Sequence, residues 1–452
     1  MRRILILLGL GLFCLPVLGQ VHEYNLDNGM KLLVREDHRA PVVVSQIWYK
    51  IGASYEHNGI TGSSHVLEHM MFKGTEKLGP GEFSRIIAEN GGRENAFTSK
   101  DFTAYFQQLE KSRLAISFEL EADRMRNLTL PKDEFAKERQ VVVEERQLRT
   151  EDNPRALAYE KFNATAFMVS PYRHPTIGWM NDLENLTVED LQQWYQQWYA
   201  PNNATLVVVG DVEPDAVYRL ARQHFGRLPQ VDVPTIKPRL EPPQKGERRV
   251  VVQAPAQLPY LLFGYHVPVL KTVEQEWESY ALEVMAGILS SGRSARLPSR
   301  LVRGQQIAAG ADAGYDLYSR QDNLFMFSGT PARGHDIAEL EQALLDEIEA
   351  LKNEPVGESE LERIKAQVVA SDVYEKDSMF YQAMQIGILE TVGLGWQTMD
   401  VYREKINAVT PQQIQQVARK YLHKNNRSVT ILEPLPLNGQ QLPEATTATS
   451  RH

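Results

Sequence analysis

Cysteine is almost absent: the 452 residues include one, Cys14. It sits in an uncharged apolar run from Ile4 to Leu18, behind Arg2 and Arg3, and the preceding Gly11-Leu12-Phe13 makes a poor lipoprotein signal. That run is too short to span a bilayer comfortably and ends in Val17-Leu18-Gly19, small enough for cleavage before Gln20. Residues 1–19 therefore read as a secretory signal peptide, which implies a periplasmic or otherwise exported protein with no stable membrane insertion. The mature chain then has no disulfide, no thiolate metal ligand and no thiol nucleophile. Basic runs and aromatic-basic stripes are also missing. Net charge is −9, and −11 once Arg2 and Arg3 leave, which argues against a nucleic-acid partner.

What remains is long enough for two or three domains. Strand patterns come first: a hairpin signal at Asn28-Gly29, then the β-branched and aromatic run from Val42 to Tyr49. Helices are expected near Glu82–Asn90, Leu114–Arg126, after Pro131, Leu157–Phe167 and Val188–Tyr199. Prolines at 229, 234, 238, 242 and 243 mark a linker over 229–248. It separates an N-terminal domain, 20–228, from a C-terminal one, 249–434. The tail 435–452 is polar and expected to be disordered.

The two halves share a pattern. Leu186-Thr187-Val188-Glu189-Asp190-Leu191 aligns with Val409-Thr410-Pro411-Gln412-Gln413-Ile414 at an offset of 223. The alignment continues through Asn202-Asn203 and Asn425-Asn426 into the strands Leu206-Val207-Val208 and Val429-Thr430-Ile431. This is a duplication. Only the first half carries the H-x-x-E-H formed by His65, Glu68 and His69.

At about 100° per residue, those three side chains share one arc of a helix. Two imidazoles one turn apart can hold a single Zn²⁺, and a neighbouring carboxylate can take a proton from a water held there. Ser63 or Ser64 is the expected N-cap. A catalytic zinc usually has three protein ligands. In Glu138-Arg139-Gln140-Val141-Val142-Val143-Glu144-Glu145, residues 138 and 145 differ by only about 20° around a helix, while Glu144 points elsewhere. Glu145 could complete the metal shell and Glu138 could hold the other N–H of a ligating imidazole. The alternative is a solvated charged helix face. The aromatic stripe Trp194, Tyr195, Trp198, Tyr199 reads as packing. His174, His266, His335 and His423 are isolated and read as structural or surface residues.

H-x-x-E-H followed by E-R-x-V-V-x-x-E resembles the pitrilysin or insulinase class of inverted zinc metallopeptidases, peptidase family M16. Also similar are Gly91-Gly92-x-x-Asn95-Ala96-Phe97-Thr98-x-x-Asp101, Pro171-Tyr172 through Ile177-Gly178, and Ser290 to Leu297 with Leu301-Val302-Arg303. The resemblance covers about Val21 to Pro434. It implies an α+β fold of two homologous domains, each an antiparallel sheet with helices packed on it, together half of a clamshell chamber. It implies one Zn²⁺ per chain on His65, His69 and Glu145, Glu68 as general base, and Glu138 as an outer carboxylate. Asn95, Ala96 and Phe97 would lie on an edge strand to which a peptide substrate adds, with Arg303 assisting. The implied function is endopeptidase or oligopeptidase action on peptides or unfolded segments.

One position departs from the family pattern. The tyrosine that usually follows the arginine by seven residues is here Gly310. Either Tyr315 or Tyr318 replaces it through a shifted loop, or a partner supplies the missing pair. The short, dimer-forming branch of the family suggests a heterodimer with a related zinc-less subunit, with a homodimer as the alternative. A non-catalytic peptide-binding or assembly subunit is the competing function, and a zinc-stabilised structural protein is a third.

Overall fold

The computed structural model describes residues 19–437. Residues 1–18 of the expected signal peptide and 438–452 of the expected tail lie outside the described residues.

Val21–Asn25 (β1) and Lys31–Glu36 (β2) form the hairpin signalled by Asn28-Gly29, with Gly29 at φ +82°, a region that L side chains rarely adopt. Val42–Tyr49 (β3), Arg93–Thr98 (β4), Thr103–Glu110 (β5) and Ala204–Gly210 (β6) complete a six-stranded sheet ordered β1-β2-β6-β3-β5-β4. Arg248–Pro255 (β7), Tyr260–Val267 (β8), Ala308–Gly314 (β9), Asn323–Pro331 (β10) and Arg427–Leu435 (β11) build a five-stranded sheet ordered β7-β11-β8-β10-β9. Each sheet departs from the expected all-antiparallel form by one parallel pair, β2 with β6 and β7 with β11. In both, the last strand of the half inserts beside the first long one. β11 also runs on to Leu435, paired with Pro255, so the expected disordered tail begins in strand.

The first half carries helices Ser63–Met70 (α1), Glu82–Glu89 (α2), Leu114–Asn127 (α3), Lys132–Arg146 (α4) and Pro154–Ala166 (α5), then Met180–Asn185 (α6), Val188–Trp198 (α7) and Pro214–His224 (α8). The second carries Trp277–Ser290 (α9), Ile337–Asn353 (α10), Glu358–Glu375 (α11), Met379–Val392 (α12), Thr398–Ala408 (α13) and Pro411–Tyr421 (α14). α7 and α14 start and stop 223 residues apart. Each opens with a reciprocal cap, Thr187 with Asp190 and Thr410 with Gln413, which satisfies the first free amides of the helix. The Trp194, Tyr195, Trp198 and Tyr199 stripe packs in the first core.

The halves exchange a helix. One face of the first sheet packs on its own helices; the other, with Leu33, Val44, Trp48, Val207 and Val209, is covered by Ala383, Ile386 and Leu389 of α12. In return, Phe162 and Ala166 of α5 pack on Leu262 and Leu324 of the second sheet, and Ala158 packs on Val252 and Leu432. Burial on both faces is why β6 reads as the unbroken apolar run Leu206-Val207-Val208-Val209 rather than as an alternation. Gly387 lets α12 approach: a Cβ there would lie 2.0 Å from the Trp48 ring. The proline-rich segment forms no regular element and is strapped down. Its Glu241 accepts from the amides of Met168, Val169 and Ser170, and Arg239 donates to the Glu56 carbonyl.

Candidate metallopeptidase site

α1 begins where a glycine allows it. Gly62 is the N-cap, at φ +92°, and both serines expected there instead fall inside the first turn. The free amides are met from upstream: the Glu56 carboxylate accepts from Gly62 N and Ser64 N, each at 2.7 Å. A longer side chain six residues back reaches what Ser63 cannot, since its hydroxyl bonds the Ile60 carbonyl. Burial pushes the Glu56 carboxyl up to about 7, although the two amide donors pull the other way. A carboxyl raised above its ordinary 4.5 contributes stability below that value and loses it as pH rises through 7. In metal-free protein, Glu56→Gln should therefore flatten the fall of Tm between about pH 5 and pH 7.5 relative to wild type. Parallel Tm profiles for the two proteins contradict this account of the cap.

α1 packs against α4, and the helical phase does the rest. Glu145 Oε2 lies 3.8 Å from His65 Nε2 and 3.6 Å from His69 Nε2. One ligand atom from each of the three residues falls within 4.8 Å of the other two. Glu138 Oε2 is 3.3 Å from His69 Nδ1, while its Oε1 takes Lys73 Nζ at 2.7 Å. Glu138 thus engages one nitrogen of His69 and leaves the other for the cluster. Glu144 is exposed, bonded to Gln140. A π-helical turn, Gln147–Glu151, follows α4 and returns Arg149 to Glu145 Oε1 at 2.8 Å. Burial opposes ionisation of Glu145, but the His69 bond and the charges of His65 and Arg149 hold its carboxyl down to about 2.

Glu68 points to the same cleft without joining the three. Burial pushes its carboxyl up to about 7, against the pull of the Thr98 hydroxyl, which donates to Oε2 at 2.5 Å. Thr98 ends β4, the outermost strand, whose far side pairs with no strand of the sheet. The cleft, about 830 Å³, is lined by His65, Glu68, His69, Asn95, Ala96, Phe97, Glu138 and Glu145, all expected from the sequence. Two imidazoles and an ionised carboxylate could hold a zinc ion with a position left open, with a further carboxylate beside them.

Several lining residues were not expected, among them Lys100, Arg149, Tyr159, Arg173 and His174. His174, expected to be structural or surface, is buried in the cleft wall, its Nδ1 accepting from Trp179 Nε1 at 3.0 Å. No sequence spacing marks it, because the tertiary fold alone brings 174 to 65. Arg303, expected to assist a substrate, has a different neighbour. It donates to the Arg293 carbonyl and does not line the cleft, whose walls come from residues between His65 and Ile177. Gly310 lies on edge strand β9 with open space where a side chain would be. Neither tyrosine replaces it: Tyr315 bonds the Pro268 carbonyl at 2.7 Å, and both Tyr315 and Tyr318 pack on the second core.

The pattern of the family described as Insulinase (Peptidase family M16) matches residues 31–178, and that of Peptidase M16 inactive domain matches 185–368. The zinc protease PqqE of Helicobacter pylori is 34% identical over 367 residues, 80% of this chain and 81% of that protein. The chain belongs to peptidase family M16. Among M16 proteins of known structure, a Helicobacter pylori protease superposes with a TM-score of 0.87 at 30% identity, covering 92% of this chain and 100% of that one. The periplasmic protease PqqL of Escherichia coli shares the fold, with a TM-score of 0.77 at 18% identity over 92% of this chain and 48% of PqqL.

Proposed function

We propose that this M16 chain is the catalytic subunit of a zinc-dependent endopeptidase or oligopeptidase acting on peptides or unfolded segments. The observation that carries the reading is the convergence of His65, His69 and Glu145 beside a further carboxylate, Glu68, the fourth residue of the motif, which stands outside that group of three. Zinc held by those three residues would polarise the scissile carbonyl and make a water more acidic. The protein's own groups supply the rest. Thr98 holds one oxygen of Glu68, leaving the other to take a proton from the attacking water and return it to the leaving amine. A raised carboxyl suits both transfers. The free edge of β4, with Asn95, Ala96 and Phe97 in the cleft wall, can pair with an extended substrate through backbone hydrogen bonds.

The chain is half of an enclosure. PqqL is about twice as long as the matched region, and the cleft here draws nothing from the second half of the chain. With Arg303 outside the lining of this cleft and Gly310 bare, a related zinc-less subunit supplies the missing substrate contacts. Export to the periplasm or an equivalent compartment fits the N-terminal segment; no helix among the described residues is long and apolar enough to cross a membrane. The test is hydrolysis of a quenched-fluorescent peptide library by the purified chain alone and mixed with a paralogous partner. Chelator-sensitive cleavage supports the enzyme, and faster cleavage by the mixture supports the heterodimer. Equal rates return the homodimer. Zinc binding without hydrolysis in either preparation favours the non-catalytic assembly subunit.

A further inference from the structure

The cleft holds more positive charge than the metal chemistry uses. Lys100 lies two residues beyond β4. Its Nζ donates to the Tyr172 carbonyl at 2.9 Å and sits 4.9 Å from the centre of the Tyr172 ring. An ammonium has three donors, and among the described residues no carboxylate forms an ion pair with this one. Its neighbour Asp101 is engaged elsewhere, by Ser54, Tyr172 and Arg320.

Arg173 is similar. One Nη donates to the Met168 carbonyl at 3.0 Å, and the buried Nε has no hydrogen-bond partner among the described residues. Glu160, the acidic lining residue nearest to it in sequence, is bound to Arg146 at 2.8 Å. Next to them, His174 accepts from Trp179 at Nδ1, so as a neutral ring it carries its proton on Nε2, a third donor. Burial, with Arg173, Arg239 and Lys100 close by, lowers His174 to about 4, which keeps the ring neutral and marks the local excess of positive charge. Half-buried cations that meet only carbonyls, and a buried Nε with no acceptor, leave donors that an anion from outside can satisfy.

We propose that Lys100, Arg173 and His174 form a subsite for a substrate carboxylate. Resting on the peptidase reading above, this means that preferred substrates carry an Asp or Glu side chain, or a free C-terminus, at a fixed distance from the cleaved bond.

The test is a set of matched peptides, Glu against Gln at each position around the cleaved bond, and C-terminal acid against amide, turned over by the zinc-loaded full chain with its partner. One position should favour the carboxylate by about 10-fold or more in kcat/KM, the scale of a hydrogen bond to a charged group. Lys100→Met and Arg173→Gln should each move that ratio toward unity, with Arg173→Lys restoring part of it. A preference confined to the acid–amide pair assigns the carboxylate to the C-terminus. Wild-type ratios near unity everywhere, or a ratio unmoved in both variants, overturn the subsite. If no peptide is cleaved, the peptidase reading fails by itself. Fluorescence anisotropy on Glu68→Gln then decides the subsite: tighter binding of the Glu peptide supports it and equal binding overturns it.

Discussion

Glu68→Gln is expected to lower kcat for peptide hydrolysis by about 10²–10⁴-fold while leaving bound zinc in place. At about 1.4 kcal/mol per factor of ten, that is roughly 3–6 kcal/mol of barrier. The geometry explains both halves of the result. Glu68 stands outside the group of three ligand atoms, so an amide there removes no ligand. The Gln oxygen can still accept from Thr98, so the change is nearly isosteric and the fold has no reason to respond. What is lost is a group able to receive a proton. Steady-state kinetics and metal analysis on the same preparation check the prediction; turnover near the wild-type rate removes Glu68 from the base role.

Glu145→Gln should act on the metal instead. The substitution replaces a carboxylate held down to about 2 with a neutral amide, and removes the Glu145–Arg149 ion pair beside the two imidazoles. Zinc affinity should fall by more than the roughly 10–100-fold that follows loss of an outer partner. Because ligand binding to the native state adds about 2.7 kcal/mol at a hundred times Kd, the zinc-induced rise in Tm should shrink accordingly. Glu144→Gln is the matched control. It changes the neighbouring residue, on the exposed side of the same helix, and should leave affinity and Tm where they were. Equal effects of the two substitutions would falsify the helical-phase argument that separates 144 from 145.

That contrast shows why part of the site can be read from residues alone. Which of Glu138, Glu144 and Glu145 share a face depends only on helix geometry, as does the arc shared by His65, Glu68 and His69. The duplication, too, is visible as a fixed offset, and the caps of α7 and α14 follow from it. Glu56, His174 and Arg303 depend on something else. A helix cap delivered from a preceding loop has no spacing rule, and the serines offered a local candidate that the backbone of Gly62 bypassed. His174 reaches the cleft by way of the segment after α5, and Arg303, to which the resemblance gives a substrate role, bonds the Arg293 carbonyl outside this cleft. The exchange of α5 and α12 is hidden for a related reason: apolar helix faces record that they are buried, not on which sheet.

In the proposed function, one zinc on His65, His69 and Glu145 makes this chain a peptidase. The most direct measurement titrates zinc into chelator-stripped chain, with its partner present, and follows peptide turnover and bound metal together. Turnover should rise in step with bound zinc and level off at about one ion per chain bearing the three ligands. Full turnover in stripped protein, or a filled site at Glu145 with no turnover on any peptide, would contradict it.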